Sequence, residues 1–235
     1  MTQPCTAYTS PTMHQALGQA LRPGGLETTR QGLEQAPLAM NARILDAGCG
    51  LGATAAFLRH QGYQRVLALD RDRDLLRSAQ KQVACLQADI TAVPLATASL
   101  DAVFCECVLS LLPRPQQALA EIRRVLRPGG RLYYSDLYAR ATAAPAAAAP
   151  GSTCLAAPAT RSTLRQRLDG GGWQILRETD QTELLRQTAA RIIFEHGSLE
   201  RFWQAVFGAC RGTSCAAGIQ ALRPGYVSYI AVKTH

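Results

Sequence analysis

Asp46, Asp70 and Asp89 each close an apolar run, and the first opens onto the glycine-rich stretch Gly48-Cys49-Gly50-Leu51-Gly52. Carboxylates at the ends of successive strands suit the polar edge of a nucleoside. In a parallel sheet the strand carboxyl ends face one crevice, so three such side chains converge around one ligand. Glycines beside the first of them let backbone approach that ligand where a Cβ would clash. Asp70 follows Asp46 by 24 residues, the separation at which an acid accepts hydrogen bonds from ribose hydroxyls. Asp89 is then expected at an adenine amine, and Asp46 at a cationic amino group. Gly48, Gly50 and Ala53 also satisfy the looser G-x-G-x-x-G/A pattern of dinucleotide sites, so the glycines alone leave a nicotinamide open.

A second chemical cluster is Cys105-Glu106-Cys107 at the end of another apolar run, 100–105. Glu106 is expected to orient a cofactor or accept a substrate proton, with a plain polar loop residue as its alternative. Eight cysteines in 235 residues invite a disulfide framework. No basic and apolar leader opens the chain, so a cytoplasmic location and reduced thiols are the expectation. Cys49 and Cys85 read as small core fillers; the roles of Cys5, Cys210 and Cys215 stay open.

These residues need a scaffold of alternating elements. Strands are expected over 42–46, 65–70, 83–88, 100–105 and 131–135, separated by helices over 53–61, 72–81 and 115–126. Such βαβ alternation predicts a doubly wound, mostly parallel sheet. A helix over 25–35 precedes it. The segment 139–160, rich in Ala and Pro, reads as a loop or lid; a helix over 161–168, a strand over 173–178, helices over 182–196 and 199–209, and a strand over 225–232 follow. Glycines around 208–218 predict a surface excursion. One domain is expected, with 1–40 as a helical lid segment, 41–138 as a cofactor-binding core, 139–160 as a flexible loop and 161–235 as the rest of the sheet with a helical insertion.

The formal charge of +8 invites a nucleic-acid partner, but the cations are dispersed and nearly all Arg, a compositional bias rather than a binding patch. Arg161 to Arg167 falls at helical spacing and reads as a solvated face. No apolar stretch reaches the roughly 18 residues that span a bilayer. A small-molecule substrate is therefore the expected partner. Oligomeric state stays open.

Across 42–137 the sequence resembles the class I S-adenosylmethionine-dependent methyltransferases. The matching pieces are Leu45-Asp46-Ala47-Gly48-Cys49-Gly50-Leu51-Gly52, Leu67-Ala68-Leu69-Asp70, Gln87-Ala88-Asp89-Ile90, Leu100-Asp101-Ala102-Val103-Phe104 and Val125-Leu126-Arg127-Pro128-Gly129-Gly130. A nicotinamide enzyme accounts only for the first two. The resemblance implies a Rossmann-like, seven-strand-type sheet, S-adenosyl-L-methionine as cofactor, and Asp46, Ala47, Gly48, Gly50, Asp70, Arg71, Asp89, Ile90 and Cys105 around it. It implies no resident metal. A cofactor-binding module without catalysis is the alternative.

A narrower resemblance joins Cys107-Val108-Leu109-Ser110-Leu111-Leu112-Pro113, and 120–138 after it, to the arsenite methyltransferases. It implies that Cys107 binds trivalent arsenic together with Cys154, whose soft thiolates suit a soft metalloid. The ordinary alternative is a carbon, oxygen or nitrogen methyltransferase for an apolar metabolite, with Cys107 lining the pocket. Either substrate would enter under a lid made from the N-terminal segment and residues near 139–160.

Overall fold

The computed structural model describes residues 7–141, 153–155 and 159–234. Most of the expected 139–160 lid and Cys5 lie outside them. Five strands run parallel: β1 (Arg43–Ala47), β2 (Arg65–Asp70), β3 (Ala84–Gln87), β4 (Leu100–Glu106) and β5 (Leu126–Ala139). Two more, β6 (Trp173–Asp180) and β7 (Pro224–Lys233), complete a seven-stranded sheet in the order β3-β2-β1-β4-β5-β7-β6, with β7 antiparallel to both neighbours. Chain order reverses beside β1, whose neighbours are β2 and β4. Crevices open at such switch points, beyond the carboxyl ends of the strands.

Strand periodicity sorts the core into two layers. Leu45, Ala47, Val103, Cys105, Leu132 and Tyr134 pack on one face. Ile44, Ala102, Phe104 and Tyr133 pack on the other, where the Phe104 and Tyr133 rings stack with centroids 4.3 Å apart. Helices α1 (Pro11–Leu17) and α2 (Glu27–Gln35) lead into the sheet. Between the strands lie α3 (Ala53–His60), α4 (Arg73–Ala79), α5 (Pro115–Val125) and α6 (Arg161–Asp169), and then come α7 (Thr182–His196), α8 (Leu199–Phe207) and α9 (Ala209–Leu222).

Three sequence expectations are corrected. The 208–218 excursion is instead the helix α9. A Cβ on Gly212 would come within 2.3 Å of the Gln204 backbone, so this glycine lets α9 approach α8 rather than breaking the chain. The strand expected over 131–135 runs on to Ala139, because β7 supplies hydrogen-bonding partners along that whole length. Arg161 and Arg165 do not form a merely solvated face: both pair with Glu178, at 2.6 and 2.7 Å, and tie α6 to β6.

Candidate functional site

The crevice at the switch point has a volume of about 300 Å³, and Asp46, Gly48, Gly50, Asp70, Arg71, Asp89 and Ile90 line it. The turn from β1 into α3 forms its floor. Gly48 and Cys49 donate their N–H groups to the Leu69 carbonyl at 2.7 and 2.9 Å, which locks the turn to β2. Gly48 has φ 77°, and a Cβ there would lie 2.5 Å from Val108 Cγ2. Glycine is thus required by both backbone and neighbour.

The three aspartates are held differently. Asp46 accepts the Ala55 N–H at 3.0 Å, and its carboxyl is pushed up to about 7, chiefly by burial and then by Glu106, with Arg22 opposing. Asp70 accepts the N–H groups of Gly50 at 2.8 Å and Asp72 at 2.9 Å; burial pushes it upward against those bonds. It does not cap the following helix, because Asp72 does so through Asp74 N–H and Leu75 N–H. Asp89 is exposed, and the Thr91 N–H at 2.8 Å holds it below the usual carboxylate range.

Ala47 and Cys105 do not stand on the crevice wall. Both are fully buried in the same core layer, since their strand positions alternate with those of Asp46 and Glu106.

Glu106 is no plain loop residue. It accepts hydroxyls from Thr28 at 3.0 Å, Thr29 at 2.9 Å and Thr54 at 3.0 Å, and pairs with Arg22 Nη2 at 2.8 Å. Arg22 Nη2 also donates to Thr29 Oγ1 at 2.6 Å and Thr54 Oγ1 at 3.0 Å. The cage draws residues 20–29 over the crevice, which Tyr8, Ala20, Leu21 and Arg22 also line. Sequence reasoning missed all of these but Glu106. A single arginine among many, far from the glycine turn, gave no pattern to read.

Cys107 follows directly and adopts φ 58°, a left-handed conformation uncommon for a side chain with a Cβ. Its N–H donates to Ser135 O at 2.8 Å. Burial, then Asp136, pushes its thiol well up. Asp136 pins the next turn by accepting the Ser110 N–H at 2.9 Å as well as its hydroxyl.

Beyond Cys107 opens a second cavity of about 660 Å³, lined mainly by apolar side chains, among them Leu137, Leu155, Leu185, Ile192, Phe202 and Trp203. Cys154 lines it too. Tyr8, Leu21 and Cys107 belong to both cavities, and the Tyr8 hydroxyl accepts the Cys154 N–H at 3.4 Å. Cys107, Cys154 and Cys215 share one apolar cluster, whereas Cys210 is exposed. His196 makes an edge contact with Phe202, with ring centroids 5.2 Å apart. No group of three His, Cys, Asp or Glu side chains suited to a metal ion occurs among the described residues. No helix among them is long and apolar enough to cross a membrane.

The crevice suits an adenosyl sulfonium amino acid. Its turn would be blocked by a Cβ, and its carboxylates are spaced along three strand ends.

Residues 45–134 match a family model described as a methyltransferase domain. A malonyl-[acyl-carrier protein] O-methyltransferase of Enterobacter lignolyticus is 42% identical over 101 residues, which are 42% of this chain and 40% of that protein. The uncharacterized methyltransferase YodH of Bacillus subtilis is 39% identical over 117 residues, 47% of this chain and 49% of that protein. The chain thus spans between two fifths and half the length of these curated relatives. Among solved structures, the [4+2]-cyclase SpnF superposes with a TM-score of 0.75 at 19% identity, over 97% of this chain and 93% of that one. Phosphoethanolamine N-methyltransferase 2 of Haemonchus contortus, in complex with phosphomonomethylethanolamine and S-adenosylhomocysteine, gives 0.77 at 18% identity over 95% and 57%. The fold is the Rossmann-like methyltransferase fold; at such identities the solved structures speak to the fold alone.

Proposed function

We propose that this chain is an S-adenosyl-L-methionine-dependent methyltransferase whose acceptor is a small, largely apolar molecule held in the 660 Å³ cavity. The enzyme class and the methyl donor follow from the methyltransferase-domain match across 45–134 and from the fold. The acceptor reading rests on one observation: the polar crevice and the apolar cavity meet at Cys107, Tyr8 and Leu21. When bound, S-adenosyl-L-methionine supplies an electrophilic methyl group on a sulfonium for in-line displacement. Catalysis then asks the chain mainly to align two partners and exclude water.

In this reading Asp70 holds the ribose hydroxyls, Asp89 the adenine amine and Asp46 the amino group. Gly48 and Gly50 shape the floor, with Arg71 and Ile90 beside the base. Glu106 braces the crevice instead of moving a proton, because four donors already occupy its carboxylate. The apolar walls keep the acceptor and the reacting atoms dry. The test is transfer of a radiolabelled methyl group to a panel of apolar alcohols, acids, amines and thiols. Label in an extractable product is expected. Tight binding of S-adenosylhomocysteine with no product across the panel, metalloids included, would favour a non-catalytic binding module.

A second reading keeps the same donor and makes the acceptor a trivalent metalloid such as arsenic(III), held by Cys107 and Cys154. It is favoured by the presence of both thiols on one cavity wall and in one apolar cluster. Cys107→Ser and Cys154→Ser should then each abolish arsenite binding. If both variants bind arsenite as the parent does, the metalloid reading fails and the apolar acceptor stands.

A further inference from the structure

Arginines that lie scattered along the chain are gathered by the sheet at one place. The strands β2, β1, β4 and β5 stand side by side, and near their amino-terminal ends lie Arg65, Arg43, Asp101 and the pair Arg127 and Arg131. All five line a cleft of about 490 Å³ beside the linker from α2 to β1. The cleft shares no lining residue with the donor crevice, which opens at the other end of the same strands. Four arginines against one aspartate leave it a net charge of +3.

These side chains are organised rather than merely close. Asp101 accepts the Arg43 N–H at 2.6 Å, which fixes its carboxylate to β1. It then holds two guanidinium groups by one nitrogen each, Arg43 Nε at 3.3 Å and Arg127 Nε at 3.0 Å. Their outer Nη groups have no partner among the described residues. Arg131 is tethered through one Nη to the Pro37 carbonyl at 2.5 Å. Arg65, the register partner of Arg43, is exposed and pairs with nothing among the described residues. Like charges side by side on neighbouring strands repel, and an anion between them turns that repulsion into attraction. Guanidinium groups fixed at one edge present the other as a ready fork.

We infer that this cleft is a second binding site, for a chain of phosphoryl groups, on the opposite edge of the sheet from the donor crevice. A carboxylate offers two oxygens in one plane, whereas a phosphoryl group offers three that can meet guanidinium groups arriving from several strands. No aromatic side chain lines the cleft, so it has no platform on which a base would stack. The phosphoryl chain itself is what the site recognises. Its occupant is neither methyl donor nor acceptor, and the two sites fill independently.

The experiment is calorimetric, in magnesium-free buffer of low ionic strength. Orthophosphate, tripolyphosphate, citrate and ATP are titrated into the full chain and into Arg65→Gln, Arg127→Gln and Arg77→Gln. Arg77 is an exposed arginine outside the cleft, paired with Asp74 at 3.2 Å, and serves as the control. Tripolyphosphate should bind at least about tenfold more tightly than orthophosphate or citrate, with ATP within about threefold of it. Arg65→Gln and Arg127→Gln should each weaken tripolyphosphate by about tenfold, and Arg77→Gln by less than about twofold. Saturation with S-adenosylhomocysteine should leave that affinity within about twofold. No binding of tripolyphosphate by the parent chain would overturn the inference. So would equal weakening in all three variants, which marks diffuse surface charge, or competition with S-adenosylhomocysteine, which puts the anion in the donor crevice. Citrate binding as tightly as tripolyphosphate, or ATP binding tenfold more tightly, would equally overturn it, by showing that something other than the phosphoryl chain is recognised.

Discussion

The two cavities that meet at Cys107 are built on opposite principles. The donor crevice is made of strand ends and the turns that leave them, drawn mostly from 46–112, and its working groups are carboxylates and backbone. The acceptor cavity is assembled from α1, β5, residues 153–155 and α7 to α9, and its walls are side-chain carbon. One is specified by topology, because any parallel sheet that reverses its order opens a crevice there. The other depends on helices added around the sheet and shares Tyr8, Leu21 and Cys107 with the donor site. The SpnF cyclase and the phosphoethanolamine methyltransferase share this fold under different named activities, as that division of labour allows.

The sharpest way to break the division is to damage one cavity and read the other. Gly48→Val forces a branched side chain into a left-handed position against Val108, and S-adenosylhomocysteine affinity should fall by about a hundredfold or more in calorimetry. An apolar naphthalene dye held in the acceptor cavity should bind as before; loss of both ligands would show that the cavities are not separable. Asp70→Ala should weaken the nucleoside end by about 1–3 kcal/mol. Unchanged affinity would remove Asp70 from the ribose.

On the other side, Ala189→Trp fills part of the acceptor cavity that Ala189 lines. It should weaken the dye by about tenfold and leave S-adenosylhomocysteine within about twofold. A subtler test uses pH. With its carboxyl at about 7, Asp46 is increasingly protonated below that value in the unliganded protein. An ammonium prefers the carboxylate, so affinity should rise with pH by up to about tenfold per unit and level off above about 7. Asp46→Asn should flatten the profile. The smallest effect is expected at Asp89, which is exposed: Asp89→Asn should cost less than about 1 kcal/mol of S-adenosylhomocysteine affinity, since solvent competes for the same hydrogen bond.

Linkage gives the same carboxylates a stability signature. Asp46 at about 7 and Asp136 at about 6 both stand above the ordinary aspartate value. The unfolded chain releases these protons first, so their burial costs more stability as pH climbs from about 4 towards about 7. Filling the donor crevice with a cation should relieve the Asp46 part of that slope and leave the Asp136 part, which faces Ser110 and Leu137.

What could be read from the sequence follows the same boundary. Asp46, Asp70 and Asp89 announce themselves because strand periodicity and βαβ spacing are local, and Gly48 because a tight turn demands it. The same local reading does not separate Ala47 and Cys105 from them: adjacent residues in a strand point to opposite faces, so the neighbours of Asp46 and Glu106 lie in the core. Arg22, Tyr8 and the threonines around Glu106 were invisible, since their contacts close over separations of up to 146 residues. Cys107 and Cys154 were marked by a resemblance, and both do line one cavity. At α9 the glycines point to a break because glycine weakens an isolated helix, whereas here Gly212 is what permits two helices to touch.

The left-handed backbone at Cys107 carries one more implication. For most residues that conformation costs about 1–2 kcal/mol, and glycine escapes the cost. Glycine at this position would therefore relieve the backbone, while removing a side chain that lines both cavities. At Cys107 the ease of the backbone and the lining of two cavities thus make opposite demands on one side chain.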